Sequence, residues 1–232
     1  MSRLFSLIGG LLLLAACAGR NPAPPAVQAQ AAPPVAGAHV EHFRRTAAPF
    51  PPGEWAELAR ENVPLVPTNL GRAERRIFGQ VEAGRLTALY EVYSVNSRGE
   101  GFPVSRGCSG GFRAVYAANL RGAQRDFDCA AAWPVTLDPA GAAGTGAMSS
   151  VRQLAGTMGG LPRQGVTVLV AAGWSRDIIE VTLTRFPERD GIAGTAWTVG
   201  ATGPDEQAYI DGLLAWAQGF RPDVRRGVRN RL

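Results

Sequence analysis

Four short stretches of this chain hold residues whose types and spacing could do chemistry. Gly107-Cys108-Ser109-Gly110-Gly111 matches G-x-S-x-G, the spacing that presents a nucleophilic serine on a tight turn. Such a serine needs a histidine base, which in hydrolases of this type follows it. Both histidines, His39 and His42, lie far upstream, so the match is read as a glycine-rich loop. His39-Val40-Glu41-His42 brings two imidazoles and a carboxylate together. The spacing is neither H-E-x-x-H nor its inverse, and on a strand His39 and His42 point to opposite faces. A polar start to a first strand fits better than a metal site. Gly141-Ala142-Ala143-Gly144-Thr145-Gly146 could cradle a phosphate before a helix, but its order is not G-x-G-x-x-G and no lysine follows. Carboxylates remain as candidates for general acid-base work: Glu91, Glu180 and Asp177, with no diagnostic spacing between them.

The chain has 232 residues, and all of its 24 basic residues are arginine. With no lysine, Schiff-base, Ser-Lys and Walker-type chemistries are excluded. The formal charge of +5 is mild for this size. Arg221, Arg225, Arg226, Arg229 and Arg231 crowd the end of the chain against Asp223 alone. No basic-aromatic nucleic-acid motif accompanies them, and nucleic acid is not an expected partner. No cofactor is expected.

The elements that must position these groups read as hairpins followed by helices. Trp55 sits in a short strand, Glu54 to Arg60, after the rigid turn from Pro49 to Gly53. Arg75 to Glu82 and Arg85 to Val95 flank Ala83-Gly84 as two arms of a hairpin. Both faces of the second arm are apolar, which makes it a central strand. Phe112 to Leu120 and Arg125 to Leu137 are two more strands, with Phe127, Cys129, Ala131 and Trp133 on one face. A helix near 150–158 carries the stripe Val151, Leu154, Ala155, Met158, with Ser150 and Gln153 as a capping box. Gly159-Gly160 and Pro162 end it. Val166 to Ala172 and Asp177 to Phe186 form the strongest hairpin, closed at Gly173-Trp174-Ser175-Arg176. Glu180, Thr182 and Thr184 predict one wet sheet face. Thr195 to Val199 is a last short strand. A helix after Gly203-Pro204 has a broad apolar face of Tyr209, Ile210, Leu213, Leu214, Trp216 and Ala217, and Pro222 begins a separate arginine-rich tail helix. The expected fold class is α+β: one domain, a mainly antiparallel sheet, the helix near 150–158, and a C-terminal helix packed on the sheet.

The amino terminus has a different character. Arg3 precedes the apolar run Leu4 to Leu14, which is too short to span a bilayer. Leu14-Ala15-Ala16-Cys17 then resembles the lipobox of bacterial lipoproteins: a leucine, two small residues and a cysteine. The resemblance covers only Met1 to about Ala18. It implies that residues 1–16 are a cleaved signal peptide. It also implies that Cys17 carries a diacylglycerol thioether and an N-acyl chain of the palmitate type, and that the membrane is a partner through Cys17. Ala18, rather than Asp, implies an outer-membrane anchor with the domain facing the periplasm. Residues 17–38, rich in Pro and Ala, read as a tether, and 39–232 as the periplasmic domain. In an oxidising compartment, Cys108 and Cys129 are an even pair read as a disulfide, with a reactive thiol or a metal site as the alternatives.

Two functions are left in view. One is a non-catalytic domain for envelope binding or assembly. Its partner is an envelope protein or an anionic lipid or lipopolysaccharide surface, with Trp174, Arg225, Arg226 and Arg229 as contact residues. The other is an envelope hydrolase that uses carboxylates on cell-wall or lipid substrates. A concave site is expected near the Asn96 to Gly111 loop and Trp174. Protein isolated from membranes is expected to carry the acyl mass on the Cys17 peptide. A non-reducing digest should join the Cys108 and Cys129 peptides. Mass spectrometry reads both, and an unmodified Cys17 peptide ends the anchoring expectation.

Overall fold

The structure is a computed structural model that describes residues 40–64, 71–97, 113–115, 126–137, 147–192, 203–230 and 232. Its first elements are β1 (Val40–Phe43), β2 (Thr46–Pro49), β3 (Trp55–Pro64), β4 (Gly71–Glu82), β5 (Arg85–Ser97) and β6 (Arg113–Val115). They are followed by β7 (Asp126–Thr136), α1 (Ala147–Thr157), β8 (Gln164–Trp174), β9 (Asp177–Arg185) and α2 (Pro204–Val228).

Local turn chemistry sets the hairpins. Ala83 and Gly84 both have positive φ, 49° and 76°, the geometry of a two-residue turn whose twist matches its flanking strands. The β8–β9 hairpin closes just as tightly on Ser175-Arg176, with Ser175 at φ 58°. Its strands therefore run on to Trp174 and Asp177, and the turn is two residues rather than four. β3 extends to Pro64, beyond the expected end at Arg60, with a bulge between Glu57 and Ala59.

Seven strands form one antiparallel sheet in the order β3-β4-β5-β9-β8-β7-β6, and β1-β2 is a separate hairpin. The pairing of β5 with β9 joins the two halves of the chain and makes β5 an interior strand, as its two apolar faces predict. One sheet face carries Tyr90, Val92, Val168, Val170 and Val181 under the β1-β2 hairpin and α2. The other is divided. Val151 and Ala155 of α1 cover Leu58, Ile77, Leu86 and Leu89 at one end. Phe127, Cys129, Leu169 and Ile178 cluster at the other. Between them Thr167 and Thr184 share a hydroxyl hydrogen bond of 2.8 Å, and Glu180 and Thr182 are half-buried. This is the polar strip predicted for that face.

Two helix boundaries differ from expectation. α1 begins at Ala147, so Ser150 lies inside it and cannot be an N-cap, whose backbone must be non-helical. Ala147 and Met148 are good helix formers and carry the helix back past the polar pair. Its end is as expected: Gly160 N–H donates to Ala155 O at 2.8 Å, with Gly159 and Gly160 at φ 75° and 82°. α2 does not break at Pro222 but runs through it to Val228. An interior proline costs about 3 kcal/mol. Burying Val224 and Val228 to 0% and 2% exposure contributes roughly 1.5–3 kcal/mol each, so continuing the helix wins.

The approach of α2 to the β1-β2 hairpin leaves no room for a side chain at Gly227. A Cβ there would lie 1.9 Å from the Ala47 carbonyl oxygen, which is backbone and cannot turn aside. Gly227→Ala is expected to destabilise the protein by about 2 kcal/mol, a fall of roughly 4–8 °C in Tm. Gly212→Ala, on the same helix with nothing within 4 Å, should be neutral or stabilising. Thermal unfolding of both variants checks the contact, and equal Tm values would refute it.

Candidate functional site

A hollow opens between the Pro51-Pro52 segment, the β4 and β9 ends, and α2. Its volume is about 380 Å³, within the range of small-ligand sites. Helix geometry explains its wall. Tyr209, Leu213 and Trp216 lie at i, i+4, i+7 on α2, beside a second row of Ile210, Leu214 and Ala217. The second row is buried against the sheet, and the first is only partly buried and faces the cleft. Trp216 stacks on Phe220 with ring centroids 4.8 Å apart. Opposite, Trp55 is pinned by its Nε1–H, which donates to the Pro51 carbonyl at 3.0 Å, and by Tyr90 at 5.6 Å.

The polar rim is one closed network. Asp190 is held in the turn after β9, where its N–H reaches Phe186 O and Pro187 O. Arg185 donates to both Asp190 oxygens, from Nη2 at 2.5 Å and from Nε at 3.3 Å. Tyr209 donates its hydroxyl proton to Asp190 Oδ2 at 2.5 Å. Arg185 Nη1 reaches Gln80 Oε1 at 3.4 Å. Burial, then the Asp190 hydrogen bond and charge, hold the Tyr209 phenol well above its ordinary value of 10.0. Burial alone would lower Arg185, but Asp190 outweighs it and the guanidinium is held more firmly charged. A carboxylate satisfied by a guanidinium and a phenol is poorly placed to take a proton from a substrate. The cleft offers flat apolar surface with a neutralised polar edge, which is equipment for binding.

The sequence-predicted residues fall into several places. Cys17 and Cys108 lie outside the described residues, as do the Gly107–Gly111 and Gly141–Gly146 glycine stretches and Thr195 to Val199. Cys129 is 1% exposed on β7 and is not a free thiol. Trp174 is 41% exposed at its hairpin tip, and the Arg229 guanidinium lies 3.9 Å from its ring centroid. Those two predicted residues therefore meet. Arg225 is committed elsewhere: it and Arg221 each lie 3.3 Å from a different oxygen of buried Asp128. Arg226 pairs with Asp223.

The three candidate carboxylates do not converge. Glu91 is ion-paired with Arg75 Nε at 2.8 Å. Burial raises its pKa, and the Arg75 charge and hydrogen bond oppose that. Glu180 lies on the same sheet face one strand away and raises Tyr93, after burial has done so. Asp177 faces the other side and accepts from Asn96 Nδ2 at 2.5 Å. Glu41 pairs with Arg76, which also donates to Glu74 at 2.6 Å, so Glu41 fastens β1 to β4; His39 lies outside the described residues. His42 is exposed. Among the described residues no three His, Cys, Asp or Glu side chains gather as a metal site. By Asn96 and Asp177 the structure has a hollow of only about 10 Å³, room for one water.

Sequence reasoning missed Pro51, Pro52, Gln80, Arg185 and Asp190 as one site, and also missed Asp128. The signals were an apolar helix stripe too wide to bury whole, and an aspartate, Asp128, set between Phe127 and Cys129 in β7. Comparison with family models, with curated proteins and with solved structures finds no match for this chain. No described helix is long and apolar enough to cross a membrane.

Because the fold favours the neutral Tyr209 phenol, the stability linked to it is complete below pH 10.0 and is lost as the pH rises above that value. Tyr209→Phe is expected to cost about 1 kcal/mol at pH 7, since the hydrogen bond is partly exposed. It should also make the fall in stability between pH 10 and 12 shallower. Urea unfolding across that range checks this, and identical slopes would show that the phenol ionises freely in the fold.

Proposed function

We propose that this chain is a lipid-anchored lipoprotein of the bacterial outer membrane, and that its periplasmic domain binds an envelope partner without converting it. The observation that carries the binding half is the cleft. Two tryptophans, a tyrosine, a leucine pair and two prolines surround an ion pair already closed upon itself. Such a site takes an apolar segment of an envelope protein, with Arg185 and Gln80 at the edge to orient it. The anchoring half is supported by the Leu14-Ala15-Ala16-Cys17 motif and by the Pro- and Ala-rich stretch that follows it. We also propose that Cys108 and Cys129 form a disulfide, which in the chain-entropy view stabilises the domain by roughly 3 kcal/mol. The buried, engaged state of Cys129 supports it.

A carboxylate hydrolase is the second reading. Glu91, raised by burial, is the feature that favours it. Its contact with Arg75 and its place outside the cleft lining weigh against it.

The test uses the intact protein in its own membranes, with a photo-reactive amino acid at Leu213, on the cleft wall, or at exposed Arg163 as a control. One discrete envelope-protein adduct from position 213 and none from 163 is the expected result. Adducts that are identical from both positions, or absent from both, would remove the cleft as the binding site.

A further inference from the structure

Two turns and the end of α2 gather at one end of the sheet. Asn96, Trp174 and Asp177 lie on adjoining rungs there. Thr46 and Ser94 share a hydroxyl hydrogen bond of 2.9 Å, which brings the Arg44-Arg45 turn to the same end. Gly227 lies against Ala47 with Leu232 beside it, and Arg229 covers Trp174. The charge at this end is not the arginine tail that the sequence suggests, because Arg221 and Arg225 are spent on Asp128 and Arg226 on Asp223. It comes from the turns. Arg44, Arg45 and Arg176 are all exposed and have no carboxylate partner among the described residues. Three large apolar side chains are exposed among the described residues, and two of them, Trp174 and Leu232, are at this end.

We propose that this end is a second membrane contact: it lies on a bilayer surface that bears anionic phospholipid. Exposed arginines attract lipid phosphates, and an indole with an arginine over its face is amphipathic in the way the headgroup layer favours. The hollow here holds no more than a water, so the chemistry suits a flat surface rather than an enclosed ligand. The proposal rests on the lipoprotein reading for its setting. From Cys17 to Ala38 there are 22 residues, which at ~3.1 Å each reach at most about 70 Å, ample for either end of the domain to meet the membrane.

The test uses the chain from Ala18 to Leu232, which lacks the leader and the acyl chains. Every described element and its packing lie within it. Co-sedimentation with vesicles of phosphatidylcholine containing one-third phosphatidylglycerol is compared with phosphatidylcholine alone. Binding only to the anionic vesicles, weakened by salt, is expected. Arg45→Glu with Arg176→Glu should weaken it at least tenfold. Arg85→Glu with Arg163→Glu makes the same charge change at exposed positions of the opposite end and should leave binding within twofold. Trp174→Ala should weaken binding and remove any blue shift in tryptophan emission. Circular dichroism confirms that each variant is folded. No binding to the anionic vesicles overturns the proposal, and so does an equal loss in both arginine pairs, which would reflect net charge alone. The acyl mass on Cys17, measured separately, decides the anchoring reading whichever way the vesicles behave.

Discussion

The pairing of β5 with β9 is the contact on which the molecule depends. It joins Ala88 through Asn96 to Asp177 through Arg185, residues some ninety positions apart, and it is the only strand pair that links the two halves of the main sheet among the described residues. Hairpin neighbours pair because a two-residue turn holds them close. β5 and β9 have no such help and must repay a long loop closure with side-chain burial on both faces. Their residues do so: Tyr90, Val92, Ile179 and Val181 are buried on one face, and Leu89 and Ile178 on the other. The cleft follows from this pairing. Gln80 arrives from the first half and Leu183 and Arg185 from the second, and only a joined sheet sets them beside α2.

α2 then reads both halves at once. Its inner row packs on the sheet, Gly227 allows backbone contact with the β1-β2 hairpin, and Asp128 receives two of its arginines. An aspartate buried to 6% exposure between apolar neighbours would be costly alone. With one guanidinium on each oxygen it becomes a fixed attachment that sets how far the helix can slide or roll. The rotation it fixes is also the one that turns Tyr209, Leu213 and Trp216 toward the cleft. The same packing that stabilises the helix therefore shapes the site.

Much of this was legible in the residues. Alternation in Val166 to Ala172 and Ile179 to Leu183, and the Ala83-Gly84 break, define hairpins through side-chain period and turn geometry alone. The Phe127, Cys129 and Trp133 face was equally plain. The cleft was not legible, because its parts come from four separate elements and no local period links Pro51 to Asp190. The arginine tail was misleading for a related reason. Clustering in sequence suggested a shared surface, but a helix spreads Arg221, Arg225, Arg226 and Arg229 over different sides, and Asp128 takes two of them. Pro222 misled because local propensity marks a break there, whereas burial of Val224 and Val228 is decided by the sheet.

The exclusive use of arginine has a structural consequence. Arg76 is 7% exposed, yet it engages Glu41 and Glu74 and lies 4.3 Å from the Phe43 ring centroid. A planar guanidinium can make those contacts together, where a lysine ammonium would satisfy one and leave its remaining protons poorly solvated. The same fork lets Arg185 hold both oxygens of Asp190 at the cleft, and the Arg229 guanidinium sits over the Trp174 ring. At Glu41, Glu74 and Asp190 the arginine satisfies a carboxylate and leaves it chemically quiet. A catalytic carboxylate needs the reverse: an acid or base left incompletely satisfied until substrate arrives. Glu91, Asp128 and Asp190 are each held by arginine instead.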